Sequence, residues 1–179
     1  MQWTDSKILI GNGTISRLGR EMMKLCASKR FALISDSNVF DKHGDKVMKI
    51  LQKSCDCVCH YVIPAGEKSK SFKYYTRILN FLARNNFTRN DAVIALGGGV
   101  VGDLTGFVAA TYLRGVSVVQ VPTSLLAMVD SSIGGKTGIN LRYGKNLAGA
   151  FHAPKLIVCD PDFLKTLPGQ ELIMSKSRG

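Results

Sequence analysis

Apolar positions fall into short runs separated by stretches in which they recur every three or four residues. Residues 7–10 (KILI) form a strand-like run, ended by Gly11-Asn12-Gly13. Ile15, Leu18, Met22 and Leu25 then follow at helical spacing. Residues 31–35 are a second apolar run, closed by Asp36-Ser37-Asn38, and Val47, Ile50 and Leu51 mark a second helical face. Residues 57–63 read as a third strand, followed by the turn Pro64-Ala65-Gly66. Phe72, Tyr75, Leu79 and Leu82 mark a third helix, and the wholly apolar run 92–96 leads into three glycines. A further apolar run, 116–121, ends at Pro122.

Strand and helix in alternation imply an α/β fold, a parallel sheet flanked by helices on both faces. In such sheets ligands gather beyond the carboxyl ends of the strands. The loops at Asp36, Pro64 and Gly97 each follow a strand, so all three are expected on one edge of the sheet. Internal repeats and low-complexity linkers are not evident.

Composition narrows the class without naming a chemistry. The 179 residues are 45% hydrophobic and 21% charged, as in ordinary globular domains. No 18-residue apolar stretch predicts a membrane span, and the N-terminus does not read as a secretory signal, so the expected location is cytoplasmic. The formal charge is +11. Nucleic-acid binding is one reading of that charge and a small anionic ligand is another. The basic residues are scattered, without long runs or interleaved aromatics, so only the total speaks for nucleic acid.

Five cysteines, three of them at 55, 57 and 59, do not suggest a disulfide framework. Alternation along a strand would put the clustered three on one face as packing residues. Their spacing does not match the C-x-x-C of structural zinc sites.

The chemistry-bearing stretch begins at residue 97. Gly97-Gly98-Gly99-Val100-Val101-Gly102-Asp103 follows a strand and precedes an apolar helix expected over 104–112. Such a loop lets a pyrophosphate approach the backbone at a helix N-terminus. A tight turn needs glycine as well, so the motif alone is weak. No acid ends the next strand, as the usual dinucleotide fingerprint expects, and the candidate ribose-binding acids lie earlier, at Asp36 and Glu67. Residues 121–146 follow, with Asp130, Lys136, Lys145, hydroxyls and amides set among glycines. An anionic polyhydroxylated ligand would use these groups, and an ordinary solvated glycine-rich loop accounts for the same composition.

In these segments the chain resembles the 3-dehydroquinate synthases. The resemblance is carried by GGGVVGDLTGFVAATYLRG (97–115), VPTSLLAMVDSSIGGKTGIN (121–140), YGKNLAGAFHAPK (143–155) and LKTLP (164–168). DSN (36–38) and PAGEKSK (64–70) fit at the expected places, and the match runs from about residue 7 to 172. It implies a Rossmann-like NAD-binding domain over 1–172 with a divergent tail over 173–179. Asp36, Asn38, Glu67 and Lys70 would contact the ribose and adenine side of NAD. Gly98, Gly99, Val100, Val101, Gly102 and Asp103 would hold the pyrophosphate, and Thr123 and Ser124 the nicotinamide half. Ser124 stands where a second threonine is usual. Lys145 and the segment Phe163, Leu164, Lys165 and Thr166 also belong to the implied NAD site, which Lys136 borders. Asp130, Lys136 and Asn146 would reach the substrate, with Arg114 reaching its phosphate from the neighbouring subunit of a homodimer.

The implied reaction cyclises a phosphorylated seven-carbon sugar acid. NAD removes a hydride, phosphate leaves by β-elimination, the hydride returns, and an intramolecular aldol step closes the ring. A divalent metal, zinc or cobalt, polarises the oxidised hydroxyl in the family. Its ligands in the family are a glutamate shortly after the LKTLP segment and two histidines from a following helical domain. Glu171 falls too early, and His43, His60 and His152 fall elsewhere, so no metal ligand is assigned here and that domain is expected to be absent. A truncated enzyme, one piece of a split enzyme and a non-catalytic NAD-binding remnant are the readings this leaves. A sister sugar-phosphate cyclase and, more distantly, an NAD-linked polyol dehydrogenase are the rival activities.

Overall fold

Strand β1 (Lys7–Ile10) leads through a 3-10 turn at Thr14–Arg17 into α1 (Leu18–Leu25). The computed structural model describes residues 6–26, 30–55 and 57–167. Next come β2 (Arg30–Asp36), the short α2 (Ser37–Val39), a π-helical stretch Phe40–Gly44, and α3 (Asp45–Gln52). β3 (Cys57–Ile63), α4 (Phe72–Arg84), β4 (Ala92–Gly97), α5 (Gly99–Thr111) and β5 (Ser117–Pro122) follow. The hairpin β6 (Lys136–Leu141) and β7 (Gly144–Phe151), then β8 (Leu156–Cys159), precede a 3-10 segment at Pro161–Thr166.

Six strands form one sheet in the order β1-β8-β5-β4-β2-β3, with every neighbouring pair parallel. This is the α/β architecture expected from the alternating pattern. The central strands alternate between two apolar layers. Phe31 and Leu33 of β2 join Leu18, Met22, Val47 and Leu51 under α1 and α3. Ala32 and Ile34 point the other way, to Ile78, Leu82, Leu104 and Val108 of α4 and α5. A strand buried on both faces must be apolar throughout, and β4 is.

Four features differ from the sequence expectation. Asp36-Ser37-Asn38 is a helix start rather than a closing loop: the Val39 amide donates to Asp36 Oδ1 at 3.0 Å, an N-cap. Helix α5 begins at Gly99, five residues before the expected 104, although glycine is poorly suited to helices. Of residues 121–146, for which a glycine-rich loop is one reading, 136–141 and 144–146 lie in the β6–β7 hairpin, packed on α5 through Ile139. Its two strands approach closely because Gly138 and Gly149 face each other, and a Cβ on Gly138 would meet the Ala148 carbonyl at 2.6 Å. The clustered cysteines do not all share a face, although Cys57 and Cys59 do, two residues apart on β3. Cys55 precedes β3 and packs on the first layer, Cys59 on the second, and Cys57 is exposed.

Candidate functional site

Between β2 and β4 the strand order reverses: the chain moves outward from β2 to β3, then returns past β2 to β4 and β5. At the carboxyl ends of these strands lies a cleft of about 250 Å³. Its lining includes Asp36 from β2, Ala65 and Gly66 after β3, Gly98, Gly99 and Val100 after β4, and Thr123 and Ser124 after β5. This is where an open parallel sheet takes a nucleotide. The three loops expected on one sheet edge do meet here.

The N-terminus of α5 opens into this cleft. Gly98, its N-cap, makes no side-chain cap, and the first turn carries no acidic residue. The first hydrogen bond of the turn runs from the Gly102 amide to the Gly98 carbonyl at 3.0 Å. The preceding amides and the positive end of the helix dipole thus favour an anion. A methyl group on Gly98 would sit 3.4 Å from Ser124 Oγ, so a side chain would occupy the space where a ligand would approach the backbone. Thr123 is buried, its amide donating to the Gly97 carbonyl at 3.0 Å.

A second, larger cleft of about 560 Å³ lies between α5 and the hairpin. Asp103, Asp130, Lys136 and Asn146 converge on it, with Ser131, Thr137 and Phe151 among the other lining groups. Behind it the Lys70 ammonium donates to Asp103 Oδ2 and, at 2.5 Å, to Asn146 Oδ1. Burial pushes the Asp103 carboxyl up from its ordinary value. Lys70 opposes that shift, and Glu67 and Asp130 add to it.

Several residues singled out from the sequence lie away from the small cleft. Asp103 lines the larger one. Lys70 is buried and engaged with Asp103 and Asn146, and its segment is tied to β6 by the Asn140 amide donating to the Lys70 carbonyl. Glu67 accepts from the Asn140 amide group at 2.6 Å. Val101 is turned into the second core layer, and Gly102 packs toward Gln120. Of the 3-10 segment, Thr166 lines the cleft. Phe163 is buried, Leu164 packs beside it on the first layer, and Lys165 pairs with Asp162 at 2.6 Å. Lys145 is exposed on β7 and lines neither cleft. Arg114 is exposed at the far end of α5, with a φ of 67°, and also lines neither.

Sequence reasoning missed Lys42 and His43, which line the small cleft. Lys42 donates to the Thr166 carbonyl at 2.8 Å, and His43 Nε2 lies 2.7 Å from Thr166 Oγ1. Their spacing after Asp36, about two turns along a capped helix, was the available signal.

Comparison with known proteins now carries the assignment. The family model described as 3-dehydroquinate synthase N-terminal matches residues 60–174. The chain belongs to this family. The 3-dehydroquinate synthase of Microcystis aeruginosa is 49% identical over 164 residues, covering 92% of this chain and 45% of that protein. The chain thus spans less than half the length of such curated relatives. Among solved structures, 2-deoxy-scyllo-inosose synthase complexed with carbaglucose-6-phosphate, NAD+ and Co2+ superposes with a TM-score of 0.85 at 26% identity. It covers 92% of this chain and 44% of that one. The 2-epi-5-epi-valiolone synthase of Streptomyces hygroscopicus, with NAD+ and Zn2+ bound, gives 0.84 at 28%, covering 96% and 47%. Among the described residues of this synthase-family chain, no group of three or more His, Cys, Asp or Glu could hold a metal ion. No helix among them is long and apolar enough to cross a membrane.

Proposed function

We propose that residues 1–172 are the nucleotide-binding domain of a 3-dehydroquinate synthase. In this reading the whole enzyme cyclises 3-deoxy-D-arabino-heptulosonate 7-phosphate to 3-dehydroquinate with release of phosphate, a lyase step of aromatic amino acid biosynthesis. The observation that carries it is the uncapped N-terminus of α5 opening into a cleft at the reversal of strand order. The identity to curated relatives named 3-dehydroquinate synthase favours this activity over that of a sister cyclase.

The groups present fit NAD. The amides of Gly99 and Val100 can donate to a pyrophosphate on the helix axis. Asp36 spends one oxygen on its cap and keeps the other for a ribose hydroxyl. Thr123 and Ser124 supply hydroxyls at the far wall of the cleft. NAD, when bound, would supply a reversible hydride acceptor. In the larger cleft Lys136 holds an anionic oxygen by charge, and Asp130 accepts a hydrogen bond from a substrate hydroxyl. Arg114 would enter a site only from a second copy of the chain, so a homodimer belongs to the same reading. The described residues do not provide a metal centre.

Calorimetric titration of the 179-residue chain with NAD tests the reading. Saturable one-site binding that weakens in Asp36→Ala is the expected result. Absence of binding to a folded protein overturns it.

A further inference from the structure

Lys70 is the one lysine or arginine that is buried among the described residues, at 5% exposure. A buried ammonium must be met by acceptors, and two meet this one: Asp103 Oδ2 on α5 and Asn146 Oδ1 on β7. Asn146 is constrained from its backbone as well. Its φ is 57°, in the left-handed region, and its amide donates to Asn140 Oδ1 at 2.9 Å. Asn140 in turn donates from its side chain to Glu67 and from its backbone to the Lys70 carbonyl. The hairpin ladder shifts register beside Asn140, between Ile139 and Leu141. The loop after β3, the hairpin and the start of α5 are therefore joined by one polar chain.

That chain fixes which end of the Asn146 amide faces the cleft. A carboxamide has one acceptor oxygen and one NH2 group. With the oxygen held by the Lys70 ammonium, the NH2 group is the end left for the larger cleft, which Asn146 lines beside Lys136. We infer that Lys70 is a positioning residue: it orients Asn146 so that an N–H donor and the Lys136 ammonium together receive an acceptor oxygen, phosphoryl or carboxylate, of the ligand. This deepens the proposed function and rests on it for the identity of the cleft. It differs from a direct contact between Lys70 and the cofactor.

The test uses the whole chain, inorganic phosphate as the probe, and NMR signals of the Asn146 side-chain amide and the Lys70 ε-position. In the unaltered protein, phosphate should shift the Asn146 amide signals and leave the Lys70 signal in place. Lys70→Met should weaken phosphate binding by about tenfold, the loss expected when one charge-supported donor is no longer aimed. Lys70→Arg should restore much of it, and Asn146→Asp, which replaces the donor by an acceptor, should not bind measurably. A phosphate-dependent shift of Lys70 with none at Asn146 overturns the inference, as does unaltered affinity in a folded Lys70→Met. No phosphate response at all in the unaltered protein overturns it too. NAD titration of the same samples reports separately on the proposed nucleotide site.

Discussion

Gly106 of α5 and Thr137 of β6 are packed so closely that a methyl group on the glycine would lie far inside contact with Thr137 Cγ2. Thr137 cannot easily rotate away, because its hydroxyl donates to the Ala150 carbonyl at 2.7 Å. This contact sets how near the hairpin sits to the helix, and so the width of the larger cleft. Gly106→Ala should destabilise the fold by about 1–3 kcal/mol, the usual cost of overpacking. Thr137→Ser removes the opposing methyl and keeps the hydroxyl, so it should recover most of the loss in the double variant. Denaturant midpoints of the four proteins measure this. Additive losses in the double variant would show that the contact is not limiting.

Gly98→Ala separates folding from binding. The residue has φ −77° and ψ −170°, which alanine adopts freely, and its added methyl makes only ordinary contact with Ser124. Melting should therefore stay close to that of the unaltered protein. The same methyl lies where a pyrophosphate would meet the helix N-terminus, and NAD affinity should fall by about tenfold or more. Calorimetry with NAD reads the effect directly, and undiminished affinity would place the nucleotide elsewhere.

The sheet was legible because its information is local. The runs at β1 to β5 are short, apolar and punctuated, and for the central β2, β4 and β5 burial on both faces requires that composition whatever the details of packing. The hairpin was not legible. Its glycines Gly138 and Gly149 serve a close approach of the two strands, a tertiary fact that composition presents as loop character. The clefts divide in the same way. Asp36, Gly98 and Thr123 could be placed because each ends a recognisable strand. The pairing of Lys70 with Asp103 and Asn146 could not be read, because these partners lie 33 and 76 residues away and no local pattern couples them.

His43 should make stability pH-dependent. Burial holds its imidazole below the ordinary value, and the neighbouring Lys46 and Lys42 push it the same way. The unfolded chain therefore takes up this proton before the folded one does. The contribution is full above the unfolded value and is lost as pH falls through the window down to the folded value. An NMR titration of the His43 ring should show the lowered midpoint, rising toward the ordinary value in Lys46→Met. His43→Gln should flatten the stability profile in that window. An unchanged profile would mean that the proton is taken up equally by both states.

Glu21 adds to the same acid limb of the pH profile, in a lower window. It is buried on α1, yet its carboxylate meets Lys7 at 2.6 Å, Lys24 at 3.5 Å, Arg20 at 3.7 Å and Arg17 at 3.8 Å. The Lys7 hydrogen bond is the main reason that its carboxyl lies below the ordinary range. For a lowered acid the stabilisation is present above the unfolded value and is lost as pH falls through the folded one. Lys7 belongs to β1, an edge strand with three of its four residues exposed, so this pair ties the edge to the helix that covers it. Glu21→Gln removes the one carboxylate paired with these four cations among the described residues, in a chain of net charge +11. The variant should melt lower than the unaltered protein at neutral pH, with the gap narrowing in high salt and at acid pH, where the native carboxylate is itself neutralised. A gap that stays constant across salt and pH would point to lost packing rather than lost charge.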